Sequence, residues 1–208
     1  MVTIIGISGG SCSGKTSISK KFNQSFGSNS IVISEDSFYK SLSITDLENI
    51  EDYEFDVPSS IDFDKIENII SNIKFGVKKL LIPIYDFNTH SVTGDLLIDI
   101  SSVSIIIFEG IFLFYYENIR NLLDIRIFID TDSDIRLSRR INRDIHERER
   151  SLQTILSRYE KFVKPSFHKY VDITKKYSNI IIPFGIENYP FIDIFCHIFC
   201  KYTGSSPR

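Results

Sequence analysis

The chain is poor in cysteine, has no excess of basic charge and lacks a long apolar run, and each shortage excludes a class of protein. Its 208 residues include three cysteines, Cys12, Cys196 and Cys200, too few and too unevenly spaced for a disulfide framework or a Cys/His metal site. The net charge of −3 predicts no general attraction to nucleic acid or to anionic membranes. No apolar run reaches the roughly 18 residues of a membrane span, and no basic segment of a signal peptide follows Met1. We therefore expect a cytoplasmic protein that binds neither nucleic acid nor membrane.

Six short segments rich in Ile, Val and Phe are expected to be β-strands. They are Val2–Ser8, Ile31–Ser34, Leu80–Ile84, Ser104–Phe108, Ile125–Asp130 and Asn179–Pro183. Most are continuously apolar rather than alternating, as in strands that a parallel sheet buries on both faces. Helical patterns lie between them, and Ile66, Ile69, Ile70 and Ile73 recur at the spacing of one helix face. This alternation predicts an α/β fold with three layers and a mostly parallel central sheet.

Two stretches depart from this alternation. Residues 85–103 contain a polar turn around Asn88–Gly94 between extended segments, which predicts a β-hairpin excursion. Residues 132–176 are helical in pattern and charged, and we expect them to form a lid over the carboxyl edge of the sheet. We predict one domain over residues 1–202 and a disordered tail over residues 203–208, which is polar and contains Ser-Ser-Pro.

A phosphate-binding P-loop pattern follows the first expected strand and opens a helix expected over residues 16–26. It consists of Gly9, Gly10, Ser11, Cys12, Ser13, Gly14, Lys15 and Thr16. Glycines let successive backbone N–H groups point at one anion, and the positive end of the following helix adds to the attraction. We expect Lys15 to reach the β- and γ-phosphates of a nucleotide and the Thr16 hydroxyl to hold Mg²⁺. Cys12 is expected to be a small filler of the loop.

Two carboxylates lie where expected strands end, which is the edge of a parallel sheet that opens onto a ligand site. Glu109 follows Ser104–Phe108 and is a candidate for ordering the Mg²⁺ shell through water; the alternative is an ordinary acidic strand end. Asp36 follows Ile31–Ser34, where a carboxylate can accept the proton of an attacking hydroxyl. Its alternative is the cap of a helix or turn.

A series of segments occurs in the same order as in the uridine/cytidine kinase family, which the chain resembles from residue 3 to about residue 200. They are the P-loop and residues 34–39, 55–58, 83–91, 108–110, 132–150, 162–165 and 182–185. The resemblance implies a P-loop kinase fold with an arginine-rich lid. It implies transfer of a phosphoryl group from ATP, with GTP as an alternative donor and Mg²⁺ as cofactor, to the 5′-hydroxyl of uridine or cytidine. It also implies a homo-oligomer, either a dimer or a tetramer.

The resemblance also assigns roles to individual residues. It makes Asp36 the general base and adds Lys15, Arg143 and Arg148 on the phosphates. The substrate pocket that it implies consists of Tyr39, Phe55, Asp56, Tyr85, Phe87, His90, Arg140, Arg150 and Arg158. Glu187 matches an acidic position near the donor base. Without the resemblance, the arginines would be read as a salt-bridged helix, the aromatic residues as core and His90 as a surface residue.

The sequence departs from the family pattern at several positions. Val57, Val92 and Phe184 stand where the family has His, Arg and Arg, while Glu149 replaces a Gly and Arg158 lies near a usual Gln. These departures leave base selectivity, donor preference and lid mobility open. Two other functions also stay open: a P-loop kinase for another small acceptor, similar to phosphoribulokinase or pantothenate kinase, and a nucleotide-binding regulator with weak catalysis.

Overall fold

The computed structural model describes residues 2–185 and 189–203. The strands are β1 (Thr3–Gly9), β2 (Ser30–Ser34), β3 (Lys79–Asp86), β4 (Ser91–Asp99), β5 (Ile105–Glu109), β6 (Ile125–Asp130) and β7 (Ile180–Pro183). The α-helices are α1 (Lys15–Phe26), α2 (Ile44–Glu48), α3 (Phe63–Lys74), α4 (Glu117–Leu122), α5 (Ser133–His146), α6 (Leu152–Arg158), α7 (Lys164–Ser166) and α8 (Tyr189–Thr203). Two π-helical segments, Tyr159–Val163 and Phe167–Val171, continue the helical backbone on either side of α7.

A parallel sheet of five strands forms the middle layer, in the order β2-β5-β1-β6-β7. Successive side chains of a strand point to opposite faces, so a continuous apolar run supplies two cores at once. Ile5 and Ile7 pack toward α1 and α8, whereas Ile4 packs toward α3 and α4. All three isoleucines are fully buried, and burial of such a side chain contributes about 1.5–3 kcal/mol. The expected α/β fold with three layers is confirmed.

Helix α3 shows how the sequence specifies one of the outer layers. Its isoleucines at positions 66, 69, 70 and 73 are buried, as their spacing predicts. The helix begins after Asp62, whose side chain accepts a hydrogen bond from the backbone N–H of Lys65 at 3.0 Å, and Lys74 lies in its last turn. The buried face fixes the helix against the sheet, and the polar ends fix where it starts and stops.

The expectation for Leu80–Ile84 was partly wrong. The segment is a strand, but it belongs to β3, which pairs antiparallel with β4 in a separate sheet of two strands. Leu80 and Ile82 are buried while Leu81 and Ile84 are exposed, so this strand is covered on one face only. Pro83 also suits an edge strand, because proline has no N–H to donate. The hairpin therefore spans residues 79–99 rather than beginning at residue 85.

The segment 132–176 is helical over most of its length, as its sequence predicts. It runs from α5 through α7 and the helical turns that follow.

The C-terminal helix α8 packs on α1. Cys196 is buried in α8, where Phe195 stacks on Phe22 of α1 with ring centroids 4.9 Å apart. The side chain of Cys200 and residues 204–208 lie outside the described part of the chain. Within residues 2–185 and 189–203, no helix combines the length and the apolar content that crossing a membrane requires.

Candidate active site

A pocket of about 410 Å³ lies at the carboxyl edge of the five-stranded sheet. The P-loop reaches it from the end of β1, and residues that follow β2 and end β5 form its floor. The β3–β4 hairpin supplies one wall and the lid (residues 132–176) supplies the other. Loops at this edge are free to carry polar groups because the sheet below them is rigid. The fold thus brings these five parts of the sequence to one cavity.

The P-loop wraps around the start of α1. Gly14, at φ 99°, is left-handed and precedes the helix, and Cys12 also has a positive φ of 61°. The Lys15 ammonium donates a hydrogen bond to the carbonyl oxygen of Gly10 at 2.9 Å. Burial lowers the pKa of Lys15, although the nearby carboxylates of Glu109 and Asp36 act in the opposite direction. The loop therefore places a buried cation beside the free N–H groups of a helix start.

The other residues of the loop divide between lining and support. Ser11, Cys12, Gly14, Lys15 and Thr16 line the pocket. Ser13 is fully buried, and its carbonyl oxygen accepts a hydrogen bond from the Thr131 hydroxyl at 2.9 Å. A side chain on Gly9 would meet the backbone of Ile129, and one on Gly10 would meet the Arg136 guanidinium. These two glycines are needed because the neighbouring backbone and side chains come so close.

Glu109, Thr16 and Ser34 form a small oxygen cluster at the base of the P-loop. The Thr16 hydroxyl donates to Glu109 Oε1 at 3.1 Å, and the Ser34 hydroxyl donates to the same oxygen at 2.9 Å. Hydroxyl and carboxylate oxygens are the ligands that Mg²⁺ takes in phosphoryl-transfer sites. Among the described residues, no group of three or more His, Cys, Asp or Glu could hold a metal ion by itself. The cluster fits a Mg²⁺ ion that takes its further ligands from nucleotide phosphates and water.

Asp36 faces the P-loop from the end of β2. It lines the pocket and is accessible to water there, although protein encloses the cavity around it. This enclosure raises the pKa of Asp36 above 3.8, as does the charge of Glu109, while Lys15 and Arg148 oppose the shift. The turn Glu35–Phe38 is capped by the Ser34 hydroxyl, which accepts the N–H of Asp36 at 3.3 Å. The capping alternative for the Asp36 side chain is therefore not what the geometry shows.

Glu35 is a buried carboxylate that sequence reasoning missed. Its side chain is 1% exposed, and Oε1 accepts hydrogen bonds from the backbone N–H groups of Ile111 and Phe112, both at 3.1 Å. Burial raises its pKa to about 8. A side chain on Gly110 would collide with it. Glu35 thereby holds the turn that follows Glu109 in place.

Aromatic residues form the hairpin side of the pocket. The Tyr39 ring lies 5.5 Å from that of Tyr85, and Phe55 lies 5.1 Å from His90, measured between centroids. Phe87 contacts both tyrosines. In the described part of the chain, the Tyr85 hydroxyl and the His90 Nδ1 are buried without a hydrogen-bond partner. Such groups are costly to bury, so this wall is suited to a flat ligand that carries polar atoms at its edge.

The ionisation of His90 and Tyr85 follows from the same enclosure. Burial lowers the pKa of His90, and the charges of Arg150 and Arg158 lower it further, so the imidazole is neutral at pH 7. Burial raises the pKa of Tyr85 to about 12, so its hydroxyl keeps its proton. His90 also has a positive φ of 51°. Both side chains therefore offer neutral hydrogen-bonding groups.

Asp144, at the buried face of α5, organises the arginines of the lid. Its fully buried carboxylate lies 2.8 Å from Arg143 and between 3.4 and 3.7 Å from Arg140, Arg148 and Arg150. Burial alone would raise the pKa of Asp144, but the charges of Arg143 and Arg140 outweigh it and hold the pKa below 3.8. All four arginines line the pocket. Sequence reasoning treated Asp144 as one of several interspersed charges.

Among the described residues, three further arginines of the lid, Arg136, Arg158 and Arg139, do not contact Asp144 in this way. Arg136 is buried, donates to the Thr131 carbonyl oxygen at 2.9 Å and lies 3.8 Å above the Phe167 ring, so it supports the fold. Arg158 lines the pocket, but its guanidinium donates to backbone carbonyl oxygens of residues 50, 51 and 53. Arg139 also lines the pocket, although sequence reasoning gave it no role.

The departures from the family pattern that the structure describes, at residues 57, 92, 149 and 184, are not among the residues that line the pocket. Glu149, which replaces a Gly, has a left-handed φ of 52°. Phe184, which replaces an Arg, has a φ of 63° and is 61% exposed. Val92 is exposed, and its backbone N–H is held by the Ser41 hydroxyl at 2.9 Å. Val57 precedes the turn Pro58–Ser60. Glu187 lies outside the described residues.

The sequence and the fold both have known counterparts. Residues 4–189 match the phosphoribulokinase/uridine kinase family. Uridine-cytidine kinase B of Dictyostelium discoideum is 44% identical over 202 residues, which cover 96% of this chain and 82% of that protein. A chloroplastic uridine/cytidine kinase of Arabidopsis thaliana is 40% identical over 200 residues, which cover 95% of this chain and 41% of that protein. The solved structure of a phosphoribulokinase from Rhodobacter spheroides superposes with a TM-score of 0.67 at 13% identity, covering 88% of this chain and 70% of that one.

Proposed function

This chain belongs to the phosphoribulokinase/uridine kinase family, and we propose that it transfers the γ-phosphoryl group of ATP to the 5′-hydroxyl of uridine or cytidine. The observation that carries the proposal is one pocket lined both by the P-loop residues Lys15 and Thr16 and by the aromatic wall with His90. Relatives of 40–44% identity are named uridine/cytidine kinases, which supports this acceptor over the other small acceptors of the family.

The donor phosphates bind to the P-loop and are neutralised from two sides. Lys15 and the N–H groups at the start of α1 face them from below, and Arg143 and Arg148 face them from the lid. Bidentate arginine donors suit the equatorial oxygens of a phosphoryl group in transfer. Thr16 and Glu109 would hold a Mg²⁺ ion, Glu109 through water, and the ion would supply neutralisation of phosphate charge. The preference between ATP and GTP as donor stays open.

The acceptor lies between the hairpin and the lid. The rings of Tyr39, Phe55, Tyr85 and Phe87 surround the pyrimidine base, and the neutral His90 hydrogen-bonds its edge. Asp56 binds the ribose hydroxyls, and Arg140 and Arg150 approach the nucleoside from the lid. A site built to pair hydroxyls rejects analogues that lack them by a larger factor than an apolar site does. The pocket therefore favours ribonucleosides.

Asp36 acts as the general base. Its carboxylate accepts the proton of the 5′-hydroxyl while that oxygen attacks the γ-phosphorus, and ADP leaves with the electron pair of the broken bond. Its raised pKa makes it a stronger base than an ordinary aspartate. Lys15, Thr16, Asp36 and Glu109 all border one cavity, which supports turnover over the alternative of a regulator without catalysis.

Some expectations from the sequence remain predictions. These are the cytoplasmic location, the dimer or tetramer and the single domain over residues 1–202. The location is not decided by the relatives, since one of them is named chloroplastic. Preference for uridine or cytidine also stays open.

A panel of nucleosides assayed for ADP release with ATP and Mg²⁺ tests the proposal. Uridine and cytidine should be turned over, 2′-deoxycytidine should be much poorer, and adenosine and ribulose 5-phosphate should fail. Lys15→Ala should abolish turnover with an unchanged circular dichroism spectrum, because the lysine charge serves the phosphates. Similar kcat/KM for adenosine and uridine, or more than a tenth of the activity remaining in Lys15→Ala, would contradict the assignment.

A further inference from the structure

Residues 49–57 carry part of the acceptor wall on an irregular segment. They follow α2 and precede the turn Pro58–Ser60, without helix or strand of their own. The backbone hydrogen bonds of Asp52 and Tyr53 are local, to Asn49 and Ile50. Phe55 and Asp56 of this segment nevertheless line the pocket. The hydroxyl of the buried Ser60 donates to the carbonyl oxygens of Phe55 and Val57 and fixes that end of the segment. Residues 50–53 need a contact from elsewhere, because a backbone with only local bonds does not hold its neighbours to the precision that a binding site needs.

Arg158, at the end of α6, reaches this segment with its guanidinium. One terminal nitrogen, NH1, donates to the carbonyl oxygens of Ile50 at 3.4 Å and Glu51 at 2.8 Å. The other, NH2, donates to the carbonyl oxygen of Tyr53 at 2.9 Å. The planar fork of an arginine can satisfy several acceptors in one fixed geometry, which a lysine ammonium does less well. These bonds join parts of the chain about a hundred residues apart in sequence.

A second contact lies one helical turn further on. The Lys161 ammonium is 2.5 Å from the Asp52 carboxylate, and the Arg158 guanidinium lies 5.1 Å above the Phe162 ring and 5.8 Å above the Phe55 ring. In the described part of the chain, Arg158 and Lys161 provide the hydrogen bonds that tie residues 50–53 to a distant element. Neither Lys161 nor Asp52 borders the pocket.

We propose that Arg158 is a positioning residue, which together with the Lys161–Asp52 pair latches residues 50–53 to the end of α6 and the π-helical segment after it, and so holds Phe55 and Asp56 in place for the acceptor. The contacts of Arg158 and Lys161 with residues 50–53 form this latch. The inference rests on the proposed function for the identity of the acceptor. The latch itself consists of contacts within the ligand-free protein, so it can be tested without substrate.

Hydrogen exchange of the ligand-free chain tests the latch directly. Arg158→Lys keeps the charge but loses the fork, and Lys161→Met breaks the ion pair at the other end. We expect backbone amides of residues 51–56 to exchange about tenfold faster in Arg158→Lys and about threefold faster in Lys161→Met. Lys74→Met is the matched control, because Lys74 is also 2.5 Å from its partner, Asp124, at the opposite edge of the sheet. Unchanged exchange of residues 51–56 in Arg158→Lys would overturn the latch.

Steady-state kinetics then distinguish positioning from direct contact. If the latch positions Phe55 and Asp56, both Arg158→Lys and Lys161→Met should raise the KM for uridine, by about tenfold and threefold, with the KM for ATP within twofold. If Arg158 acts only by touching the nucleoside, Lys161→Met should leave the KM for uridine unchanged, and the proposal fails. Faster exchange in a chain that does not phosphorylate uridine would refute the proposed function and leave the latch standing.

Discussion

At the scale of single residues, the Asp36 carboxylate can be tested by one substitution of nearly equal size. Asp36→Asn keeps the volume and a hydrogen-bond acceptor but cannot take a proton at neutral pH. If Asp36 is the general base, kcat should fall by about 10²–10⁴, while the binding of uridine and ATP changes much less, because the lost interaction belongs to the transition state. Rapid-quench or coupled assays of ADP release, together with calorimetric uridine binding, measure the two effects.

The neighbouring Ser34 supplies the control for this test. Its hydroxyl caps the turn that carries Asp36, so Ser34→Ala should disturb the position of the turn without removing the base. We expect a smaller fall in kcat for Ser34→Ala than for Asp36→Asn. A kcat of Asp36→Asn within threefold of the parent would remove Asp36 from the mechanism.

Glu35 predicts a dependence of stability on pH. Its pKa is raised by burial from 4.5 to about 8 in the folded state, so between these values the folded chain keeps a proton that the unfolded chain has lost. The contribution of Glu35 to the free energy of unfolding is therefore largest below pH 4.5, and it is lost as the pH rises toward 8. Glu35→Gln cannot ionise and keeps an acceptor oxygen for Ile111 and Phe112. Its free energy of unfolding should rise relative to the parent between pH 5 and pH 8, by an amount on the order of a few kcal/mol.

Thermal or urea unfolding at several pH values checks this prediction. Glu117→Gln, which changes an exposed glutamate of α4, is the matched control and should show no such trend. Equal stability of the parent and Glu35→Gln at all pH values would mean that Glu35 is ionised at its ordinary pKa in the folded protein.

At the scale of elements, the buried carboxylate of Asp144 holds the arginines of α5 together with those of the segment that follows it. Asp144→Asn removes the charge that Arg140, Arg143, Arg148 and Arg150 share. The arginines then repel one another and lose their common orientation, so kcat should fall by about tenfold or more and the KM for ATP should rise. Asp134→Asn, at the exposed start of the same helix, should leave both parameters within twofold.

The measurement is steady-state kinetics below the melting temperature, with circular dichroism to confirm that the variant is folded. A folded Asp144→Asn with unchanged kcat would show that the lid arginines find their positions from the nucleotide rather than from Asp144.

The sequence predicted the elements that local patterns specify, and missed the relations between them. The apolar runs of β1, β5 and β6 and the face of α3 need no partner to be recognised. The place of β3 depends on which faces are covered, and an apolar run of five residues with one proline does not reveal that. Glu35 and Asp144 were missed for a related reason. A buried carboxylate is defined by the groups around it, and the partners of Glu35 lie more than 70 positions away.

At the scale of the whole molecule, the site is shared by the five-stranded sheet, the hairpin and the lid, so a ligand should stabilise them together. Uridine at a hundred times its Kd should raise the free energy of unfolding by about 2.7 kcal/mol, which corresponds to roughly 5–10 °C in Tm for a chain of this size. 2′-Deoxyuridine at the same concentration should give a smaller shift in Tm, because it lacks one of the ribose hydroxyls that Asp56 binds. Scanning calorimetry should show one transition that moves as a unit; two transitions, or equal shifts for both nucleosides, would contradict the prediction.

Because the hairpin forms a sheet of its own, the acceptor specificity of such an enzyme can evolve separately from its phosphate-binding site. The P-loop, Asp36 and Glu109 lie at the ends of strands of the large sheet. Tyr85, Phe87 and His90 instead lie at the end of β3 and in the turn that follows it, and in the described part of the chain the strands β3 and β4 pair with each other and not with the large sheet. Substitutions, insertions or exchange of the hairpin can therefore alter acceptor choice without breaking a hydrogen bond of the large sheet. Descendants of one ancestral kinase could diverge in acceptor while inheriting the same phosphate chemistry, and chimaeras that swap residues 79–99 are a natural starting point for new acceptors.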